Sequence, residues 1–203
     1  MEKIHIMDNN FKRYYLGYVN SLCNSLMNAN IEKINKSVEL IINQIKKNKT
    51  VYVCGNGGSA AIANHYVCDF SKLLRQNTNL KAKFVSLSSN IEVITAISND
   101  ISYDQIFKYQ AETYIKKGDL IILISASGNS QNIIELAKWA KQQKIKTISF
   151  TGFNGGKLIR LSDININIKI DNYGKTEDSH HILMHIIMQY LIDKFKKIKN
   201  PIL

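Results

Sequence analysis

The sequence predicts an α/β fold: a three-layer, doubly wound sandwich with a mostly parallel five-stranded sheet behind an N-terminal helical extension. Three observations carry that expectation. Short apolar runs recur from Thr50 onward. Helical stretches separate them, so each run has a crossover long enough to return parallel to the one before. Ahead of Thr50 the apolar residues keep only the three- and four-residue spacing of helices.

Taken in order, residues 8–28 read as a helix. Over 31–48 the residues Ile31, Ile34, Val38, Ile41, Ile42 and Ile45 mark one face of an amphipathic helix. The apolar runs follow at 51–54, 84–87, 120–124 and 147–150. A fifth, 164–170, alternates Ile with Asn or Lys, as a half-exposed edge strand does. Helices are expected at 58–74, 91–98, 103–116, 130–143 and 177–197. No repeat, low-complexity tract or proline-rich linker interrupts the series, and the only proline is Pro201. The expectation is one domain over 1–203, with helices over 1–49 and the α/β core over 50–197.

A chain of 203 residues suits one domain and buries roughly 70% of its unfolded surface. A hydrophobic content of 45% excludes a disordered chain. The apolar runs are too short to cross a bilayer. The N-terminus has no apolar core after a basic start, so no secretory signal is expected. Three cysteines (Cys23, Cys54 and Cys68) make no disulfide framework, which points to a reduced, cytoplasmic protein. Cys68 reads as a small buried apolar group rather than a nucleophile.

The net charge of +11 invites a nucleic-acid reading. Against it, only Arg13, Arg75 and Arg160 are arginines, and lysines gather at expected helix ends, at 46–49 and 194–199. Neither nucleic acid nor a membrane is therefore an expected partner. A small anionic substrate would gain from the same field.

In an open α/β sheet, ligands bind beyond the carboxyl ends of the strands. Two loops stand there. Cys54-Gly55-Asn56-Gly57-Gly58-Ser59 joins a strand to a helix, and its glycines allow a ligand close to the backbone while the helix offers free N–H groups. Ser125-Ala126-Ser127-Gly128-Asn129-Ser130 occupies the same setting, with three hydroxyls that can wrap a phosphate. One such loop could be mere capping and turning; two on one sheet point to a phosphorylated ligand. Gly55, Gly57 and Ala60 satisfy a dinucleotide fingerprint, but the second strand ends in Ser86-Leu87-Ser88-Ser89-Asn90 without the acid that holds a ribose. No Gly-Lys-Ser/Thr follows either loop, so no nucleotide cofactor is expected.

Four of five histidines fall in two places. His65 lies on the helix after the first loop, with Asp69 four residues on and about 40° away on the same face. The last helix opens with Glu177, Asp178, Ser179, His180 and His181 and carries His185; Glu177 and His185 lie within about 80° of one another. Two histidines and two carboxylates on two helices suit a divalent ion such as Zn²⁺ or an acid–base pair beside a carbonyl.

Four motifs then carry a resemblance: 54–59, Ser98-Asn99-Asp100, 125–130 and Thr151-Gly152-Phe153-Asn154-Gly155-Gly156. Together they resemble the sugar-isomerase (SIS) domain family, and within it the phosphoheptose isomerases, from about residue 31 to 197. The resemblance implies an aldose–ketose isomerase interconverting sedoheptulose 7-phosphate and D-glycero-D-manno-heptose 7-phosphate for the heptose of lipopolysaccharide or capsule. It implies a homotetramer with sites between subunits, and a zinc ion, one per subunit.

By position, the resemblance gives Ser125, Ser127, Ser130 and the amide of Ala126 to the phosphate. It gives Asn56, Gly57, Gly58, Ser59, Asn99, Asp100 and Glu177 to the sugar, and His65, Asp69, Glu177 and His185 to the metal. Asp69, Glu177 and His185 are its catalytic positions. Two residues depart from the family pattern. Asp69 stands where the family has glutamate, and Glu177 where it has glutamine, so either carboxylate could be the base. A non-catalytic phosphosugar sensor or adaptor of the same fold, for example in replication initiation, is the competing reading.

Overall fold

The computed structural model describes residues 2–196, with side chains from Asn10 onward; Lys197, Lys199 and Pro201, and the last residue of the helix expected to reach 197, lie outside the described residues. The chain opens with α1 (Glu2–Met27) and α2 (Ile31–Lys46). Asn30 separates them by accepting the Lys33 N–H at 3.0 Å, which caps α2. Ile34, Val38, Ile41 and Ile45 form the buried face of α2, at the spacing that predicts it.

The core then runs β1 (Thr50–Gly55), α3 (Gly58–Ser71), α4 (Leu73–Asn77), β2 (Lys83–Ser86), α5 (Ile91–Asp100), α6 (Ile106–Tyr114) and β3 (Leu120–Ile124). It continues with α7 (Gln131–Gln142), β4 (Lys146–Thr151), α8 (Leu158–Leu161), β5 (Ile164–Asn167) and α9 (Tyr173–Phe195). The five strands form one sheet in the order β2-β1-β3-β4-β5, and every pairing is parallel. The pleat divides each strand between two cores. Val51, Val53 and Ile122 pack with Ile41, Phe70 and Leu191 from α2, α3 and α9. Tyr52, Ile121 and Leu123 pack with Ile97, Phe107 and Ile133 from α5, α6 and α7 on the other face. These are the three layers that the sequence predicts.

Several boundaries differ from expectation. The helix expected over 58–74 breaks at Lys72, whose φ of −103° and ψ of −66° offset α4 from α3. The 103–116 helix begins as a 3-10 turn over Tyr103–Gln105. β5 stops at Asn167, the partner of Thr151 at the end of β4; beyond it the Ile168 N–H still donates to the Thr151 carbonyl, and the next bond runs from the Phe153 N–H in the loop to the Ile170 carbonyl. The last helix starts at Tyr173, where the Asn172 side chain accepts the Lys175 N–H at 2.9 Å, so Glu177 lies in its second turn. Cys68 is exposed, contrary to its reading as a buried apolar group. α3 turns Ile62, Ala63, Tyr66, Asp69 and Phe70 inward and leaves position 68 outside that face.

The strand order reverses between β1 and β3, where the crossovers leave toward opposite faces of the sheet. That opens a crevice at their carboxyl ends. The loops 54–59 and 125–130 follow these two strands.

Candidate active site

At the end of β1, Gly57 adopts φ +53° and opens α3 with no side chain capping its first N–H groups. The left-handed backbone explains the glycine; the uncapped donors make the turn receptive to an anion. Asn56 is fixed from two sides. Its amide N–H bonds the Asn132 Oδ1 at 2.8 Å, Asn132 returns a bond of 3.0 Å to Asn56 Oδ1, and the Tyr103 hydroxyl donates to the same oxygen at 3.0 Å. Ser59 is buried, and Asn99 and Asp100 are exposed at the end of α5, with the Asn99 amide donating to Asp100 Oδ1 at 2.8 Å.

At the end of β3, the Ser125 and Ser130 hydroxyls lie 3.2 Å apart across the loop, and Ser127 Oγ accepts the Asn129 N–H at 3.2 Å. Ser130 stands at the N-cap of α7, its side chain making no bond to the first turn, which leaves the opening of the helix beside three hydroxyls and the amide of Ala126. Gly128, at φ +64°, holds this curve against a second loop: a Cβ there would run into the Gly155 carbonyl oxygen. The Leu158 N–H donates to the Gly128 carbonyl at 3.2 Å, and the Lys157 N–H to Asn129 Oδ1 at 3.1 Å.

α3 packs on α9, and their facing sides bring the histidines together. His65 Nε2 and His185 Nε2 are 3.1 Å apart, and Asp69 Oδ2 lies 3.5 Å from each. His181, which sequence reasoning does not assign, joins them. Its ring is edge-on to His65 at 4.8 Å and stacked on His185 at 4.6 Å between centroids. One ligating atom from each of the three histidines falls within 4.8 Å of the others. Burial, reinforced by the His185 and His65 imidazoles, holds His181 below the ordinary histidine range. His180 turns the other way. It is fully buried with its ring edge toward Phe150, and burial pushes it down to about 4.

Glu177 stands apart from this cluster in its contacts. Its carboxylate presses on Gly58 at the start of α3, where a Cβ would overlap it. Burial and the adjacent Asp178 charge hold its carboxyl above the ordinary carboxylate range. Asp178 instead accepts the Tyr18 hydroxyl at 2.5 Å, tying α1 to α9.

The histidine cluster suits a divalent metal. Ligands about 2.1 Å from a tetrahedral ion lie about 3.4 Å apart, and the His65, His185 and Asp69 atoms are spaced at 3.1, 3.5 and 3.5 Å. His181 Nε2 is buried with no hydrogen-bond partner among the described residues. A missed signal could have found it: His181 and His185 are four residues apart on one helix, the spacing by which paired histidines share a face.

Residues 14–152 match the SIS domain. A phosphoheptose isomerase from Helicobacter pylori is 34% identical over 185 residues, covering 90% of this chain and 94% of that protein. A phosphoheptose isomerase from Clostridium acetobutylicum is 39% identical over 158 residues, covering 77% and 80%. The structure of phosphoheptose isomerase from Neisseria gonorrhoeae superposes with a TM-score of 0.82 at 27% identity, covering 93% of this chain and 99% of that one. The chain belongs to the SIS-domain proteins and, within them, to the phosphoheptose isomerase family.

Proposed function

We propose that the protein interconverts sedoheptulose 7-phosphate and D-glycero-D-manno-heptose 7-phosphate through a cis-enediol, for the heptose of lipopolysaccharide or capsule. The observation that carries this is the meeting of Asp69 with His65 and His185 on α3 and α9, the first of which opens at the switch-point crevice. The hydroxyl-lined loop 125–130 follows the strand next to β1. Ser125, Ser127, Ser130 and the Ala126 amide take the phosphate in this reading. Asn56, Gly57, Gly58, Ser59, Asn99 and Asp100 line the sugar chain.

The chemistry needs one carbon proton moved and one oxygen proton exchanged, with no change in oxidation state of the sugar as a whole. A carboxylate, Asp69 or Glu177, takes the proton from the carbon beside the carbonyl and returns it to the neighbouring carbon. His185 transfers the proton between the two oxygens. A Zn²⁺ ion, one per subunit, would be held by histidines and Asp69, and when bound supplies a Lewis acid that polarises the carbonyl and steadies the enediolate. The net charge of +11 favours a dianionic substrate. No helix among the described residues is long and apolar enough to cross a membrane. A cytoplasmic homotetramer completes the proposal.

Sedoheptulose 7-phosphate in D₂O, followed by NMR with and without Zn²⁺, tests it. Deuterium should enter the sugar beside the carbonyl as the heptose phosphate forms. His185→Ala should lose turnover far more than substrate affinity, on the 10²- to 10⁴-fold scale of a positioned proton carrier. Absence of exchange under every metal condition, with phosphosugar still bound, would overturn the isomerase in favour of a sensor.

A further inference from the structure

The family resemblance gives the metal His65, Asp69, Glu177 and His185. The contacts within the folded chain divide that set. Three of its members meet at 3.1–3.5 Å, as three corners of a tetrahedral site would. The fourth, Glu177, has its carboxylate against the Gly58 backbone. Meanwhile His181 brings a third ring into the same cluster. Its Nε2 is buried and lacks a hydrogen-bond partner among the described residues, a cost that persists unless something fills the position. One of its ring nitrogens lies within 4.8 Å of a ring nitrogen of His65 and of one of His185.

We infer that His181, rather than Glu177, completes the ligand set, so that the divalent ion is held by His65, His181, His185 and Asp69. Three imidazoles and one carboxylate form a borderline-soft set suited to Zn²⁺ and to Co²⁺ in its place. Helix geometry explains how the set is made. His65 and Asp69 are four residues apart on α3, and His181 and His185 four apart on α9, so each helix supplies two neighbours from one face. Replacing the family's glutamine by Glu177 then adds no second carboxylate to the ion. It places a free carboxylate at the edge of the site, with Asp69 committed as a ligand.

The assignment rests on the crevice being the isomerase site, but metal binding is measured without substrate. Competition of the purified full chain with a chromophoric chelator for Zn²⁺ should show one ion bound per chain. His181→Ala should weaken that binding at least about tenfold, the scale on which even partners behind a ligand act, while Glu177→Gln changes it less than about threefold. With Co²⁺, the visible absorption of a four-coordinate ion should be the same in the wild type and in Glu177→Gln and be shifted in His181→Ala, where water would take the place of the ring. Equal weakening by Glu177→Gln, unchanged binding in His181→Ala, or no ion bound by the wild type would each overturn the inference. Should His181→Ala fail to fold, histidine-ring NMR of the wild type decides: His181 must shift on addition of Zn²⁺, and an unmoved His181 overturns it. A chain that binds zinc in the expected pattern yet exchanges no deuterium into the sugar would sink the isomerase reading and leave this ligand set standing.

Discussion

Gly58 sits where α3 begins, and a methyl group added there would overlap the Glu177 carboxylate. The obstacle is the end of a flexible side chain, so the backbone need not move. Gly58→Ala is therefore expected to change stability by less than about 1 kcal/mol while displacing Glu177 and lowering kcat. Thermal unfolding and steady-state kinetics on the same sample check both halves. Wild-type kcat in Gly58→Ala would remove Glu177 from proton transfer.

The two residues also show what the sequence could and could not say. Glycine and serine after a strand announce a loop built for an anion, and His65 with Asp69 announces one face of one helix. Which residues oppose that face depends on how α9 lies across α3, and no spacing rule contains that angle. Glu177 and His185 share a helix face on paper, yet the packing offers the cluster His181 and turns Glu177 to Gly58. Asn132 and Tyr103 were illegible for the same reason, since they reach Asn56 from 76 and 47 residues away.

The elements owe their positions to polar ties as well as to apolar faces. Where β4 begins beside β5, Asp163 accepts the Thr147 N–H at 2.9 Å and its hydroxyl at 3.1 Å, and pairs with Lys146 at 2.6 Å. Burial raises this carboxyl, but the Lys146 ammonium and the Thr147 donors outweigh it, and the net effect holds it below the ordinary carboxylate range. A carboxylate depressed in the folded state binds its proton more readily in the unfolded one, so stability falls as pH drops. The contribution is complete above the ordinary carboxylate pKa and is lost as pH falls through the lower folded value. Asp163→Ala is expected to cost about 1–2 kcal/mol near neutral pH, the range for a charge-assisted bond at a partly exposed site. The gap between the denaturant midpoints of the two proteins should begin to narrow only below about pH 4, the ordinary carboxylate value, and close as pH falls through the lower folded value; a gap that persists below that value would assign the cost to packing instead. The strands themselves were readable because uninterrupted apolar runs mark a sheet covered on both faces. Their ends were not, since β5 stops where its partner loop changes course rather than where its Ile alternation fades.

At the scale of the whole molecule, the N-terminal helix carries more apolar surface than one copy of the chain covers. Phe11, Tyr14 and Tyr15 are 68%, 69% and 56% exposed on α1, and with Tyr18 they repeat at the three- and four-residue spacing of a single stripe. Tyr18 already reaches Asp178 on α9, one turn before His181, so this stripe runs toward the site rather than away from it. A helix patterned to bury a face, lying beside α9, fits an assembly in which neighbours cover each other's sites. The homotetramer proposed above makes this concrete. Sedimentation equilibrium should return four times the 23.1 kDa chain mass. Phe11→Glu combined with Tyr14→Glu places two charges in the stripe and should yield smaller species. Because the sites would lie between subunits, turnover should fall with the mass, while circular dichroism stays that of a folded α/β chain. A fully active monomer would separate the site from the assembly and leave the α1 stripe without that role.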